Sequence, residues 1–141
     1  MSRLAAVASL GLTLTLLMML PVARGSEADQ ATKLTFNQSV HLPARVLPAG
    51  TYWFVVPAPG FVQIFNSDRS QVITTLQDIS AERSQATGKT EITFVDRGEM
   101  QPAAIVTWFY PGRTTGHEFV YAKQESAKLA RNKPHTIVAG Y

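Results

Sequence analysis

The chain has 141 residues, 45% of them hydrophobic and 16% charged, a formal net charge of +3 and no cysteine. Without cysteine there is no disulfide, no thiolate metal site, no cysteine nucleophile and no lipid-modified cysteine. Two of the 13 cations, Arg3 and Arg24, fall in an N-terminal leader; without them 11 cations face 10 anions, a net charge of +1 that gives nucleic-acid binding little electrostatic basis.

The first element is that leader, MSRLAAVASLGLTLTLLMMLPVARG, in which Arg3 precedes an apolar run through Leu20 and the helix breaker Pro21. This layout predicts a secretory signal peptide over residues 1–25. Cleavage after Gly25 would set Ala23 and Gly25 at the two small-residue positions and make Ser26 the mature N-terminus. The alternative is an uncleaved anchor, against which stand the run's length, near the lower limit for a bilayer span, and its serine and threonine interruptions. No second apolar stretch of that length follows, so no membrane span is expected after cleavage, and the expected location is secreted or periplasmic. The remaining 26–141 form one domain, large enough to bury its own core.

In the mature chain TKLTFNQSVHL alternates, with Leu34, Phe36, Val40 and Leu42 on one face and Gln38 the only polar member there, which predicts one half-buried strand. LPARVLPAG is a turn region, and TYWFVV (51–56) is the second strand. PAPG turns into FVQIFN (61–66), and SDRS turns into QVITTLQDI (71–79). AERSQATGK reads as a polar loop with room for one helical turn. TEITFV (90–95), DRGEMQP, AAIVTWFY, PGRTTG and HEFVYAK complete seven strand candidates at intervals of about ten residues, a spacing typical of antiparallel sandwiches and barrels. QESAKLARN (124–132) reads as a short C-terminal helix limited by Pro134, and the tail HTIVAGY as an eighth, edge strand or a loose end. The expected fold is therefore mainly β: an antiparallel β-sandwich of about seven strands with a short C-terminal helix, a small β-barrel being the alternative.

AAIVTWFY carries Ile105, Thr107 and Phe109 on one face and Val106, Trp108 and Tyr110 on the other. Burial on both faces would make it a central strand; the rival reading exposes Trp108 and Tyr110 as an aromatic platform for a sugar or peptide.

The mature histidines are His41, His117 and His135, and no pair has a spacing that aims two rings at one ion, so no metal and no cofactor are expected. His117 and Glu118 are neighbours on a strand and point to opposite faces, so they are not an adjacent ligand pair. No serine lies in a glycine-flanked strand-to-helix elbow, and PGRTTG lacks the lysine and the following helix of a phosphate loop. Asp68 and Asp96 read as turn caps. If successive strands run antiparallel, one end of the domain gathers Arg45, Arg69 and Arg97 with Asp68, Asp96 and Glu99, a self-compensating rim. The opposite end gathers PAPG, AERSQATGK and PGRTTG, where Arg83, Lys89 and Arg113 exceed Glu82 by two cations beside His117.

The stretches LPAGTYWF and WFYPGRTTGHEFVY, with the ITF strand between them, resemble a group of small secreted bacterial proteins over about residues 35–123. The group has no assigned activity, so the resemblance implies an exported protein and transfers no site residue. LPAGTY alone is also similar to transthyretin-like and carboxypeptidase-regulatory β-sandwich modules, a likeness of a few residues that turn chemistry explains. The leading expectation is a non-enzymatic exported binding or accessory module, with its contact surface at Arg83, Lys89, Trp108, Arg113 and His117, joined by Trp53 if that ring is exposed nearby, and a protein or glycan as partner. The alternatives are a structural envelope protein assembling with its own copies through strand edges, and an enzyme or metal site at His117. The enzyme reading requires His117 in a cleft within hydrogen-bond reach of a second polar group.

Overall fold

The computed structural model describes residues 30–139, so the leader and its cleavage site lie outside the described residues. The alternating line at 31–42 keeps its parity, with Leu34, Val40 and Leu42 buried, but it forms two strands rather than one, β1 (Ala31–Phe36) and β2 (Val40–Leu42). A bend at 37–39 separates them, and β1 pairs β4 (Gly50–Ala58), whereas β2 pairs β3 (Arg45–Leu47) and β8 (Ala104–Phe109). The same inward face thus serves two different neighbours. Pro43 and Ala44 turn the β2–β3 hairpin, and Pro59 and Gly60 turn β4 into β5 (Phe61–Phe65), with φ +86° at Gly60, where glycine carries no Cβ penalty.

The long strand β6 (Val72–Glu82) organises the rest. Its first half pairs β5 from Phe65↔Val72 to Phe61↔Gln77, and its second half pairs β9 (Thr115–Phe119) from Asp78↔Phe119 to Glu82↔Thr115. Beyond β9 lie β8, β7 (Thr90–Val95) and finally β10 (Pro134–Ala139), each antiparallel to the one before. The strands make one open sheet that folds over itself at β6, so that β1, β4 and β5 face β9, β8 and β7 across a shared core. Phe54 of β4 meets the edges of Trp108 and Phe119 at centroid distances of 5.8 and 6.3 Å, and Phe36 of β1 meets Phe94 of β7 at 6.4 Å.

The mainly β class holds, with three corrections. The described residues form ten strands rather than about seven; the β2–β8 pair, His41↔Ala104, is parallel; and the sheet branches at β8, leaving β1, β3 and β10 each paired on one side only among the described residues, so the barrel alternative does not close. HTIVAGY does supply an edge strand, β10 against β7. The helix α1 (Lys123–Leu129) starts one residue earlier and stops three earlier than expected, and the chain then tightens into a turn in which Asn132 donates to the Leu129 carbonyl at 3.2 Å. With no side-chain N-cap and two turns of length, α1 depends on docking, and Leu129 is its buried contact. No helix among the described residues is long and apolar enough to cross a membrane.

Candidate functional site

The expected gathering of PAPG, AERSQATGK and PGRTTG at one end occurs. Arg83 N donates to Thr114 O at 2.8 Å, Gly112 N to Thr87 O at 2.7 Å, and Asp78 N to Gly60 O at 3.0 Å. The cations expected there do not form a binding cluster. Arg83 is a latch: Nε donates to Arg113 O at 2.8 Å, Nη1 lies 2.9 Å from the Glu91 carboxylate, and the guanidinium covers the Phe109 ring at 4.8 Å. Glu91 neutralises it from the start of β7, a residue outside the loops that the charge count covered. Lys89 and Arg113 are exposed. Trp108 is fully buried between β9 and β7, which overturns the exposed-platform reading and gives the core reading its place. Trp53 is half-buried on the opposite sheet face, its Nε1 donating to Ser67 O at 3.1 Å with Lys33 and Arg69 over the ring.

At the rim expected to compensate itself, Arg97 instead reaches Glu125 on α1 at 3.2 Å. His41 Nε2 lies 2.6 Å from the same carboxylate, in close contact but out of line for a hydrogen bond. The His41 ring stacks on Tyr121, whose hydroxyl donates to Ile105 O at 2.6 Å. Burial, and then the nearby Glu125 carboxylate, push the Tyr121 phenol well above its ordinary value; Arg97 opposes them.

His117 provides the most organised polar constellation. Glu118 faces outward and is exposed, as strand geometry requires, but a different carboxylate takes its place. Asp78 sits diagonally across the β6–β9 ladder, and its Oδ2 lies 2.5 Å from His117 Nδ1. The Asp78 side chain is only 5% exposed. The other ring nitrogen, Nε2, lies 3.1 Å from Gln30 Oε1, and the imidazole plane rests on Trp108 at 4.9 Å and 28°. Ser80 is the direct cross-strand partner of His117. Gln30, Pro59, Gly60, Asp78, Ser80 and His117 are among the residues lining a cavity of about 320 Å³. Asp78 Oδ1 and Trp108 Nε1 are buried with no hydrogen-bond partner among the described residues. Among those residues no three histidine or carboxylate side chains converge as a metal-binding group.

Sequence reasoning found His117 and missed Asp78, Ser80 and Gln30. One signal was present: in QVITTLQDIS, Asp78 shares the parity of the inward residue Leu76, and a carboxylate on an inward face needs a partner.

A larger cleft, about 650 Å³, lies where β1 approaches β7 and β10 without pairing with them. One wall is the unbroken run from Lys33 to Val40, so inward and outward residues of β1 both border it, and β1 pairs only β4 among the described residues, which leaves its other edge unpaired. The other wall presents alternate side chains, Ile92 and Phe94 of β7 and His135 and Ile137 of β10. Compared with protein-family models, curated proteins and solved structures, the chain matches none.

Proposed function

We propose that the protein is an exported binding module that takes an extended segment of a protein partner into the cleft between β1 and β7/β10. The observation that carries this reading is the contrast between the two walls: eight consecutive residues on one side, alternate side chains on the other. Strand addition uses these two features, main-chain hydrogen bonds along a free edge and pockets for every second side chain. Phe36, Ile92 and Phe94 supply the apolar floor, and Asn37, Gln38 and Ser39 a polar rim. Export rests on the leader at 1–25, and burial of Trp108 argues against the glycan platform.

A second reading, assembly of copies through their own edges, draws on β10, which pairs only β7 among the described residues. Native mass spectrometry of the protein purified from its host's envelope or medium tests both. A bound peptide mass that disappears in Ser39→Trp, which fills the cleft from an exposed position, supports the module; multiples of the protomer mass support assembly. A bare monomer in both samples rejects both.

A further inference from the structure

We propose that Ser80, His117 and Asp78 form an acyl-transfer site for small neutral esters, with Ser80 as nucleophile, His117 as its general base and Asp78 as the residue that positions the imidazole. This activity is separate from binding at the β1 seam. The arrangement of the ring carries the inference. With Nδ1 held by a buried carboxylate and the ring face held by Trp108, only Nε2 is turned towards an exchangeable partner, the assignment that a general-base histidine needs. Ser80 is two residues from Asp78 on β6, hence on the same face, and stands directly opposite His117. Opposed residues on one face of an antiparallel pair have Cβ atoms about 4.5–5.5 Å apart, so a serine hydroxyl and the facing imidazole come within reach by rotamer change. Ser80 is exposed to the shared cavity, and its hydroxyl makes no hydrogen bond among the described residues.

Two further observations agree. Asp78 Oδ1 is buried without a partner, a cost that a corner built only for stability would remove by substitution. The cavity is lined by Pro59, Gly60 and Ile79 on its apolar side and by no lysine or arginine among the described residues, which suits an uncharged acyl group. The side-chain amide of Gln30, immediately before β1, lies against Nε2 at 3.1 Å, must present its NH2 to that nitrogen when the ring is the neutral base, and is the group that a substrate must displace.

In the first step Ser80 Oγ bonds to the carbonyl carbon while its proton passes to His117 Nε2. The bond to the leaving alkoxide then breaks, and the imidazolium returns that proton to the alkoxide. In the second step water attacks the acyl carbon and gives a proton to Nε2; the bond to Oγ breaks, Oγ is reprotonated and the carboxylic acid departs. Asp78 exchanges no proton and fixes the ring throughout.

Phenylmethanesulfonyl fluoride tests the nucleophile directly, because Oγ replaces fluoride on sulfur and leaves a stable adduct. The protein obtained by expressing the full chain should gain one adduct, mapped to Ser80. His117→Gln and Asp78→Asn should slow labelling about 100-fold, Asp78→Glu should recover part of the rate, and Gln30→Ala should raise it. With p-nitrophenyl acetate, Ser80→Ala should abolish the burst of nitrophenolate. Equal labelling of Ser80 in wild type and His117→Gln, or no Ser80 adduct in either wild type or Gln30→Ala, overturns the proposal. Should His117→Gln fail to fold, judged by the near-ultraviolet dichroism of Trp108, the rates of Asp78→Asn and Gln30→Ala decide.

Discussion

Gly116→Ala should be the most damaging single-methyl change near the candidate site. Gly116 precedes His117 and lies against β8, where an added Cβ would sit 2.5 Å from Phe109 Cδ1 and 2.6 Å from the Trp108 carbonyl oxygen. Carbon atoms normally meet at about 3.5–4.0 Å, so each contact is about an ångström too close. Neither neighbour yields cheaply. The Trp108 carbonyl belongs to a strand held by β7 and β9, and the Phe109 ring is covered by the Arg83 guanidinium, itself fixed by Glu91. Overpacking of this kind costs about 1–3 kcal/mol, and loosening the Arg83–Phe109 contact adds about 0.5–1 kcal/mol. The lower entropy of the unfolded alanine chain returns about 0.4–1 kcal/mol. The net loss is therefore about 2 kcal/mol, read as a lower urea midpoint with an unchanged slope. Gly88→Ala is the control: its Cβ meets nothing within 4 Å, so it should be neutral or slightly stabilising. If Gly116→Ala lies within about 0.5 kcal/mol of wild type, the tight approach of β9 to β8 is wrong.

Arg83→Met should cost about 2–3 kcal/mol in urea unfolding: the stem still covers Phe109, but Glu91 and the Arg113 carbonyl lose their partner. Arg83→Lys should not restore the loss, because one ammonium cannot serve both acceptors in the fork geometry of a guanidinium. Tyr121 sets the alkaline limit. Its folded pKa is raised above the ordinary 10.0, so its contribution is present in full below pH 10 and is lost as pH climbs above that value, where the unfolded chain ionises first. Tyr121→Phe should flatten the fall of stability above pH 10 while costing about 1 kcal/mol at neutral pH through the lost bond to Ile105 O; an unchanged alkaline limb in a pH series of urea melts would contradict the assignment.

Strand character was legible wherever a residue's face was decided locally. TEITFV became β7 over the same residues, and both faces of AAIVTWFY are largely buried, Trp108 packing against Phe54 on one and Phe109 lying under Arg83 on the other. What periodicity does not encode is which neighbour a face meets. Alternation from Leu34 to Leu42 is interrupted only by Gln38, and there the bend at 37–39 moves the chain from β4 to β8, since both partners accept the same inward parity. The site failed to appear for the same reason. His117 and Asp78 are 39 residues apart and meet only because β6 passes from β5 to β9 between Gln77 and Asp78, a pairing of non-consecutive strands. Arg83 was legible as a cation but not as a spent one, because Glu91 lies across a loop whose closure the sequence does not specify.

That hand-over gives the Asp78–His117 contact two candidate roles, holding the fold of the sheet at β6 and orienting the ring. A double-mutant cycle with Asp78→Asn and His117→Gln separates the contact from the packing around it, because both substitutions nearly preserve shape. A hydrogen bond between a buried carboxylate and an imidazole should appear as a coupling of about 1.5–3 kcal/mol, and the stacking of residue 117 on Trp108, common to both arms of the cycle, cancels. The two single variants should together cost more than the double variant, since each strands the other residue of the pair, and His117→Gln leaves Asp78 with neither oxygen bonded, Oδ1 already lacking a partner among the described residues. A coupling below about 0.5 kcal/mol would mean that β6 and β9 hold together without this contact. Asp78 could not then fix the ring, and the positioning role assigned to it would fall even if Ser80 proved reactive.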